Sequence, residues 1–185
     1  MAKRKAAKKR APARRRAAPR KPLPVPKGFH TVTPSLVFKD CAAVIDFWKK
    51  AFGAKELMRM PAPGGKGIWH AEVKIGDSIV FMNDEMPDSG VRATTAENPS
   101  AAGLMLYVKD CDAVFQRALD AGAKVSMPLQ DMFWGDRFGR VLDPFGLGWG
   151  IATHVRDVSM KEMQQATSGA GAAASGNGAG APASA

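Results

Sequence analysis

The side chains best suited to chemistry begin with His70 and Glu72, which alternate within the run Ile68 to Lys74. A period of two puts His70, Glu72 and Lys74 on one face of a strand and Trp69, Ala71 and Val73 on the other. The apolar set belongs under a helix, which turns His70 and Glu72 toward a cavity or toward solvent. There a histidine beside a carboxylate acts as a general base or ligates a divalent metal in an unconventional site; equally, the two form a polar pair without chemistry. They are the candidate catalytic residues. Further along, Phe138, Arg140 and Leu142 alternate in the same way and put Arg140 at the register of His70, where a guanidinium forks onto an anionic substrate group. The turn Trp134-Gly135-Asp136-Arg137 offers either a pocket wall or a local Asp–Arg clamp. Gly148 and Gly150 alternate with Trp149 and Ile151, leaving one strand face bare, which makes room for a ligand or for close backbone approach. The expected substrate-binding set is His70, Glu72, Met82, Trp134, Arg137, Arg140 and Gly150. His30 and His154 lie at the ends of the patterned region and suit local polar pairing.

These residues are positioned by an internal repeat. FKDCAAV (Phe38 to Val44) recurs as VKDCDAV (Val108 to Val114), and Gly53 to Lys55 recurs at Gly122 to Lys124. In each copy a short apolar run, Ser35 to Phe38 or Leu104 to Val108, leads into Asp40 or Asp110, an N-cap for a helix. Val44, Phe47, Trp48 and Ala51 keep to one helical face, as do Ala113 or Val114, Ala118 and Ala121 in the second copy. Gly53 and Gly122 then stop the helices. Three strand-like runs follow each: Glu56 to Pro61, Ile68 to Lys74 and Ser78 to Met82, then Val125 to Phe133, Phe138 to Leu142 and Leu147 to Thr153. The pattern is βαβββ twice, with module 1 at about 30–84 and module 2 at about 103–156. Asp84 to Ala102 between them is the longest internal loop, where functional mobility is expected. Cys41 and Cys111 fall at the same position of the two copies, just inside a helix start. That site suits a redox-sensing thiolate or a small buried residue, and the neighbouring aspartate opposes ionisation.

The chain carries +10 at neutral pH, but 12 of its 27 basic residues and no acidic ones lie in residues 1–27. The remainder holds 15 basic against 17 acidic residues, a net of −2. The basic character therefore belongs to a tail and says nothing about what the folded body binds. Lys3, Arg4, Lys5, Lys8, Lys9, Arg10, Arg14, Arg15 and Arg16 are cations for non-specific nucleic-acid contact, with no aromatic residue among them for base stacking. Residues 1–27 and 167–185 have too little to bury to offset ordering, and both are expected to be disordered, flanking a domain at 28–160. No apolar run is long enough to cross a bilayer, the prolines of the basic segment break up an amphipathic transit helix, and two cysteines make no disulfide framework. A soluble cytoplasmic protein is expected, with no membrane association.

Taken together, GFHTVTPSLVFKDCAAVIDFWKKAFGA, GKGIWHAEVKIGDSIVFMNDE, MFWGDRFGRVLDPFG and WGIATH resemble the PhnB-like branch of the vicinal-oxygen-chelate superfamily over about 125 residues. That superfamily includes glyoxalase I, extradiol dioxygenases and bleomycin-resistance proteins. The resemblance implies an α+β fold in which two βαβββ modules form a curled mixed sheet around a cavity, and a homodimer. It implies ligands of a metal centre near Thr33, Val80, Gly103 and Gly150, none of which binds zinc, iron or manganese well through its side chain. No cofactor and no family metal site are therefore expected; a divalent metal would need the unconventional His70–Glu72 site. Relatives commonly read DPFGH where this chain has Leu147 after Gly146. The resulting expectation is a glyoxalase/bleomycin-resistance-like protein that binds a small molecule in its cavity, with activity unassigned. The alternatives are an interaction protein whose basic tail holds nucleic acid, and a metal-dependent lyase, isomerase or dioxygenase.

Overall fold

The computed structural model describes residues 23–86 and 90–173. Module 1 runs β1 (Ser35–Phe38), α1 (Cys41–Phe52), β2 (Lys55–Pro61), β3 (Ile68–Ile75) and β4 (Ser78–Asp84). Module 2 repeats it as β5 (Gly103–Tyr107), α2 (Cys111–Asp120), β6 (Lys124–Asp131), β7 (Asp136–Leu142) and β8 (Gly148–His154), followed by α3 (Met160–Ala173). Each module folds its strands into one mixed sheet, ordered β1-β4-β3-β2 and β5-β8-β7-β6, with the β1–β4 and β5–β8 pairs parallel. The architecture is the α+β duplication expected from the repeat. The two sheets stay open and are not closed into a barrel.

Helix boundaries follow the local chemistry. The Asp40 carboxylate accepts from the Ala43 amide at 3.0 Å and Asp110 from Ala113 at 2.9 Å, each satisfying an amide that the helix itself leaves unbonded. Gly53 ends α1 in the left-handed conformation at φ 66°. The helices pack on each other, and Val44, Trp48 and Ala51 of α1 are fully buried. Aromatic residues of α1 also reach into module 2: Trp48 meets Trp149 edge-on at 5.1 Å between ring centroids, and Phe52 lies 4.2 Å from the same ring. One hydrophobic core therefore serves both modules.

The cysteines of the two copies, Cys41 and Cys111, are both buried. The Cys41 amide donates to the Asp84 carboxylate at 2.6 Å, and the Cys111 amide to the Thr153 hydroxyl at 2.9 Å. Burial, reinforced by Asp84, pushes the Cys41 thiol far above its ordinary range, so it holds its proton and is a poor nucleophile. Packing at a helix start accounts for the cysteine repeat.

The connection between modules is tied to both. Thr94 donates its amide to the Val37 carbonyl at 3.3 Å and its hydroxyl to the Phe145 carbonyl at 2.6 Å, and the Ser100 amide reaches the Gly146 carbonyl at 2.8 Å. Gly146, at φ 86°, could carry no side chain, because a Cβ there would run into the Thr95 carbonyl. The described part of this loop is thus anchored to both modules at these points.

At the far end, Ser159 and Glu162 form a reciprocal capping box, the Ser159 amide donating to Glu162 at 2.9 Å and the Glu162 amide to Ser159 Oγ at 3.3 Å. This nucleates α3, which runs on through residue 173. It therefore extends through residues 167–173, past the point at which the disordered tail is expected to begin. Residues 174–185 and residues 1–22 of the expected tails lie outside the described residues. No helix among the described residues is long and apolar enough to cross a membrane.

Candidate functional site

Each sheet buries one face against the helices and leaves the other open. On β3 the sequence reading holds for Ala71, Val73 and Ile75, which are buried, while His70, Glu72 and Lys74 line the open face. Trp69 departs from it. At the strand end beside the Gly64–Gly67 turn, it is half exposed. His70 and Glu72 do come together, with His70 Nε2 3.6 Å from Glu72 Oε1, beyond hydrogen-bond length. Phe81 fills the space beside them: the His70 ring stands edge-on to it at 4.8 Å, and Phe29 covers it at 5.6 Å. The open face of module 1 is therefore occupied by the chain's own aromatics.

Met82, expected in the cavity, is fully buried, because Val80 and Met82 share the face that packs under α1. The same register corrects the position of the implied metal ligands. Phe81 pairs with Ser35 just as Gly150 pairs with Met105, so module 1 presents Phe81 and not Val80 at the place of Gly150. The open-face set is then Thr33, Phe81, Gly103 and Gly150. It offers one hydroxyl and no imidazole, carboxylate or thiolate, which does not fit a divalent transition metal. Among the described residues no group of three or more His, Cys, Asp or Glu side chains is arranged to hold one.

Module 2 differs in shape and charge. Arg140 pairs with Gly150 as Glu72 pairs with Phe81, so Arg140 occupies the position of Glu72, one pleat away from the expected register of His70. A cavity of about 390 Å³ opens here, lined among others by Met105, Ser126, Phe138, Arg140, Gly148 and Gly150. A Cβ on Gly150 would press on the Met105 sulfur at 2.6 Å and the Phe138 ring at 2.9 Å, whereas one on Gly148 would meet nothing within 4 Å. Gly150 thus lets two side chains close under the cavity floor, and Gly148 leaves the cavity its width. A second cavity of about 630 Å³ lies between the modules, lined by residues that include His30, Ile79, Leu106 and Tyr107.

Arg137 does not belong to this site. It points to the opposite side of β7 and forks onto Asp112 of α2 with two contacts of 2.6 Å, adding Asp131 at 3.3 Å. It is a clamp between strand and helix, and its hydrogen bonds, helped by its charge, hold the Asp112 carboxyl below the usual carboxylate range. Trp134 is also absent from the cavity lining. Its ring stands 5.9 Å from Phe138 at the rim, and its indole N–H donates to Asp136 at 3.1 Å.

Asp136 is the centre of a network that no local pattern announces. Buried to 4% exposure, it receives the Tyr107 hydroxyl at 2.9 Å and the Trp134 indole, and pairs with His154 Nδ1 at 2.8 Å; His154 Nε2 meets Asp157 at 3.1 Å. Burial pushes the Asp136 carboxyl up, but the three donors outweigh it and hold it below its ordinary value. Asp136 and then Asp157 raise the pKa of His154 above its ordinary 6.5. A raised histidine pKa contributes stability that is complete below about pH 6.5 and is lost as pH rises through the folded value. The melting temperature of the native chain should therefore fall relative to that of His154→Gln as the buffer is taken from below pH 6.5 toward pH 8. Parallel melting curves for the two proteins across that range would contradict the assignment.

Comparisons with known proteins agree with this fold. The profile of the Glyoxalase/Bleomycin resistance protein/Dioxygenase superfamily matches residues 28–151. An uncharacterized protein of Mycobacterium bovis is 46% identical over 146 residues, covering 76% of this chain and 93% of its own. Among solved structures, TioX from Micromonospora sp. ML1 superposes with a TM-score of 0.54 at 30% identity, covering 67% of this chain and 98% of TioX. A PhnB protein from Bacillus cereus, described as a putative 3-demethylubiquinone-9 3-methyltransferase, gives 0.54 at 17% identity over 67% of this chain and 99% of its own. At that identity the likeness concerns the fold alone.

Proposed function

Since the chain belongs to the Glyoxalase/Bleomycin resistance protein/Dioxygenase superfamily, we propose that it binds a small organic molecule on the open face of its second sheet, without the superfamily's metal centre. The observation that carries this reading is the pair of glycines at 148 and 150, which empties a face that Ile79 and Phe81 fill at the equivalent positions of module 1. A volume of about 390 Å³ falls within the size range of small-molecule sites. His70 and Glu72, the candidate catalytic pair, pack beside Phe81 and do not line this cavity, so binding and not acid–base catalysis is the reading the geometry favours.

Gly148→Leu tests it. The new side chain enters open space on a strand, so the protein should melt at or slightly above the native temperature. Ligands that raise the native melting temperature in a small-molecule screen should lose at least about tenfold in affinity for the variant. Undiminished binding by Gly148→Leu would remove the cavity from consideration.

The same surfaces support a homodimer. Met58 and Met60 of β2 and Met105 and Tyr107 of β5 are exposed apolar side chains that a second copy could cover. Sedimentation at micromolar concentration should give twice the chain mass, and a monomer alone would count against this assembly. A second reading concerns the tail. The segregation of 12 cations into residues 1–27 favours a nucleic-acid contact made by that segment independently of the cavity.

A further inference from the structure

We infer that the ligand of the module 2 cavity is an organic anion, a carboxylate or phosphonate carried on a flat apolar body; this rests on the reading of that cavity as the binding site. The two copies of the repeat within the chain differ on their open faces. At matching positions of the ladder, module 1 has Glu72, Ile79 and Phe81 where module 2 has Arg140, Gly148 and Gly150. The duplicated face has been emptied and its charge inverted at the same place. Emptying alone makes a hole, but replacement of the acidic position by arginine gives the hole a chemical preference.

Arg140 is the one charged side chain among the described residues that line the cavity, and no carboxylate stands beside it. Its guanidinium has no hydrogen bond or ion pair with any described residue, unlike Arg137 and Arg59, each of which is held by a carboxylate at 2.6 Å. It lies 5.6 Å from the centre of the Phe138 ring, which restricts its swing by a cation–π contact and leaves its fork of donors free. A planar, permanently charged fork of this kind matches the paired oxygens of a carboxylate or phosphonate. Below it Phe138 and the Met105 thioether give a surface suited to an aromatic ring, and the Ser126 hydroxyl stands in the same wall.

The test is calorimetric titration of the full chain with four probes of one size: benzoate, phenylphosphonate, neutral benzamide and cationic benzylamine. Native protein should bind one or both anions at least about tenfold more tightly than benzamide or benzylamine. Arg140→Gln, at an exposed position, should leave the melting temperature unchanged and remove that tenfold preference. Gly148→Leu should weaken every probe. Equal binding of benzoate, phenylphosphonate and benzamide by the native chain, or anion affinity that survives Arg140→Gln, overturns the anionic class while the cavity reading stands. Anion binding that survives Gly148→Leu overturns the cavity reading, since the anion is then held elsewhere, for example by the basic tail. Absence of binding by any probe up to about 10 mM, far weaker than useful recognition, also overturns the anionic class.

Discussion

Deletion of residues 1–27 should lower any affinity of the protein for duplex DNA by about a hundredfold or more, the order expected for losing several phosphate contacts. The expectation follows from where the charge sits. The deleted segment carries 12 cations and no anion, and what remains has a net charge of −2 and repels a phosphate backbone. With 12 cations and no aromatic residue for stacking, the segment should neutralise phosphates without selecting bases. Binding of the full chain should therefore be alike for unrelated duplexes. If about six to ten phosphates are neutralised, it falls about a thousandfold or more between roughly 50 and 200 mM salt. Fluorescence anisotropy with two unrelated duplexes, on the full and shortened chains, decides the matter. Retained affinity after deletion, or a sequence preference above about tenfold, would place the contact on the folded body.

Asp143→Ala should destabilise the protein by about 3–5 kcal/mol, a fall of roughly 10 °C in melting temperature for a domain of this size. Asp143 is 2% exposed and organises the turn between β7 and β8. One carboxylate oxygen accepts the Phe145 and Leu147 amides at 3.0 and 2.9 Å, and the other accepts the Trp149 indole N–H at 3.1 Å. Burial pushes its pKa up, which these donors oppose. Truncation strands three buried donors at once, at about 1–3 kcal/mol each, partly offset by relief of the buried charge. Asp143→Asn can keep the oxygen that accepts the Phe145 and Leu147 amides but sets an NH2 against the Trp149 indole N–H, so it should cost less than Asp143→Ala in urea unfolding without being neutral. Equal losses for the two variants would mean that the turn depends on charge and not on these hydrogen bonds. Because β8 starts just beyond the turn, Asp143→Ala should also blur the face formed by Gly148 and Gly150.

Much of this architecture was written in local sequence signals. Asp40 and Asp110 cap their helices as predicted, and Gly53 stops α1, because caps depend on a few adjacent residues. The alternation of β3 was readable because His70, Glu72 and Lys74 contrast in polarity with Ala71 and Val73. Ile79, Val80, Phe81 and Met82 are all apolar, so a period of two gave no contrast there, and Met82 was assigned to the wrong face. Arg137 and Arg140 were both expected in the cavity although three residues apart in a strand; the pleat sends them to opposite sides, and Asp112 captures Arg137. The Arg140 register was off because β7 starts at Asp136, two residues before the expected Phe138. The Tyr107–Asp136–His154 network joins three strand ends distant in sequence, and no local period encodes such a meeting. The cavity itself was legible only as an absence, in two glycines of one strand.

The contact of α1 with Trp149 has a consequence for how the molecule comes apart. Although the repeat suggests two interchangeable halves, Trp48 and Phe52 of the first find their packing partner in the last strand of the second. Neither half can shed the other without exposing three large rings to water, so the halves are not separate units of folding and loss of structure spreads across both in one cooperative transition. The same coupling constrains the chain's history. Once an aromatic of one copy became the lining of the other, the copies were free to diverge on their open faces but not along the seam where they meet.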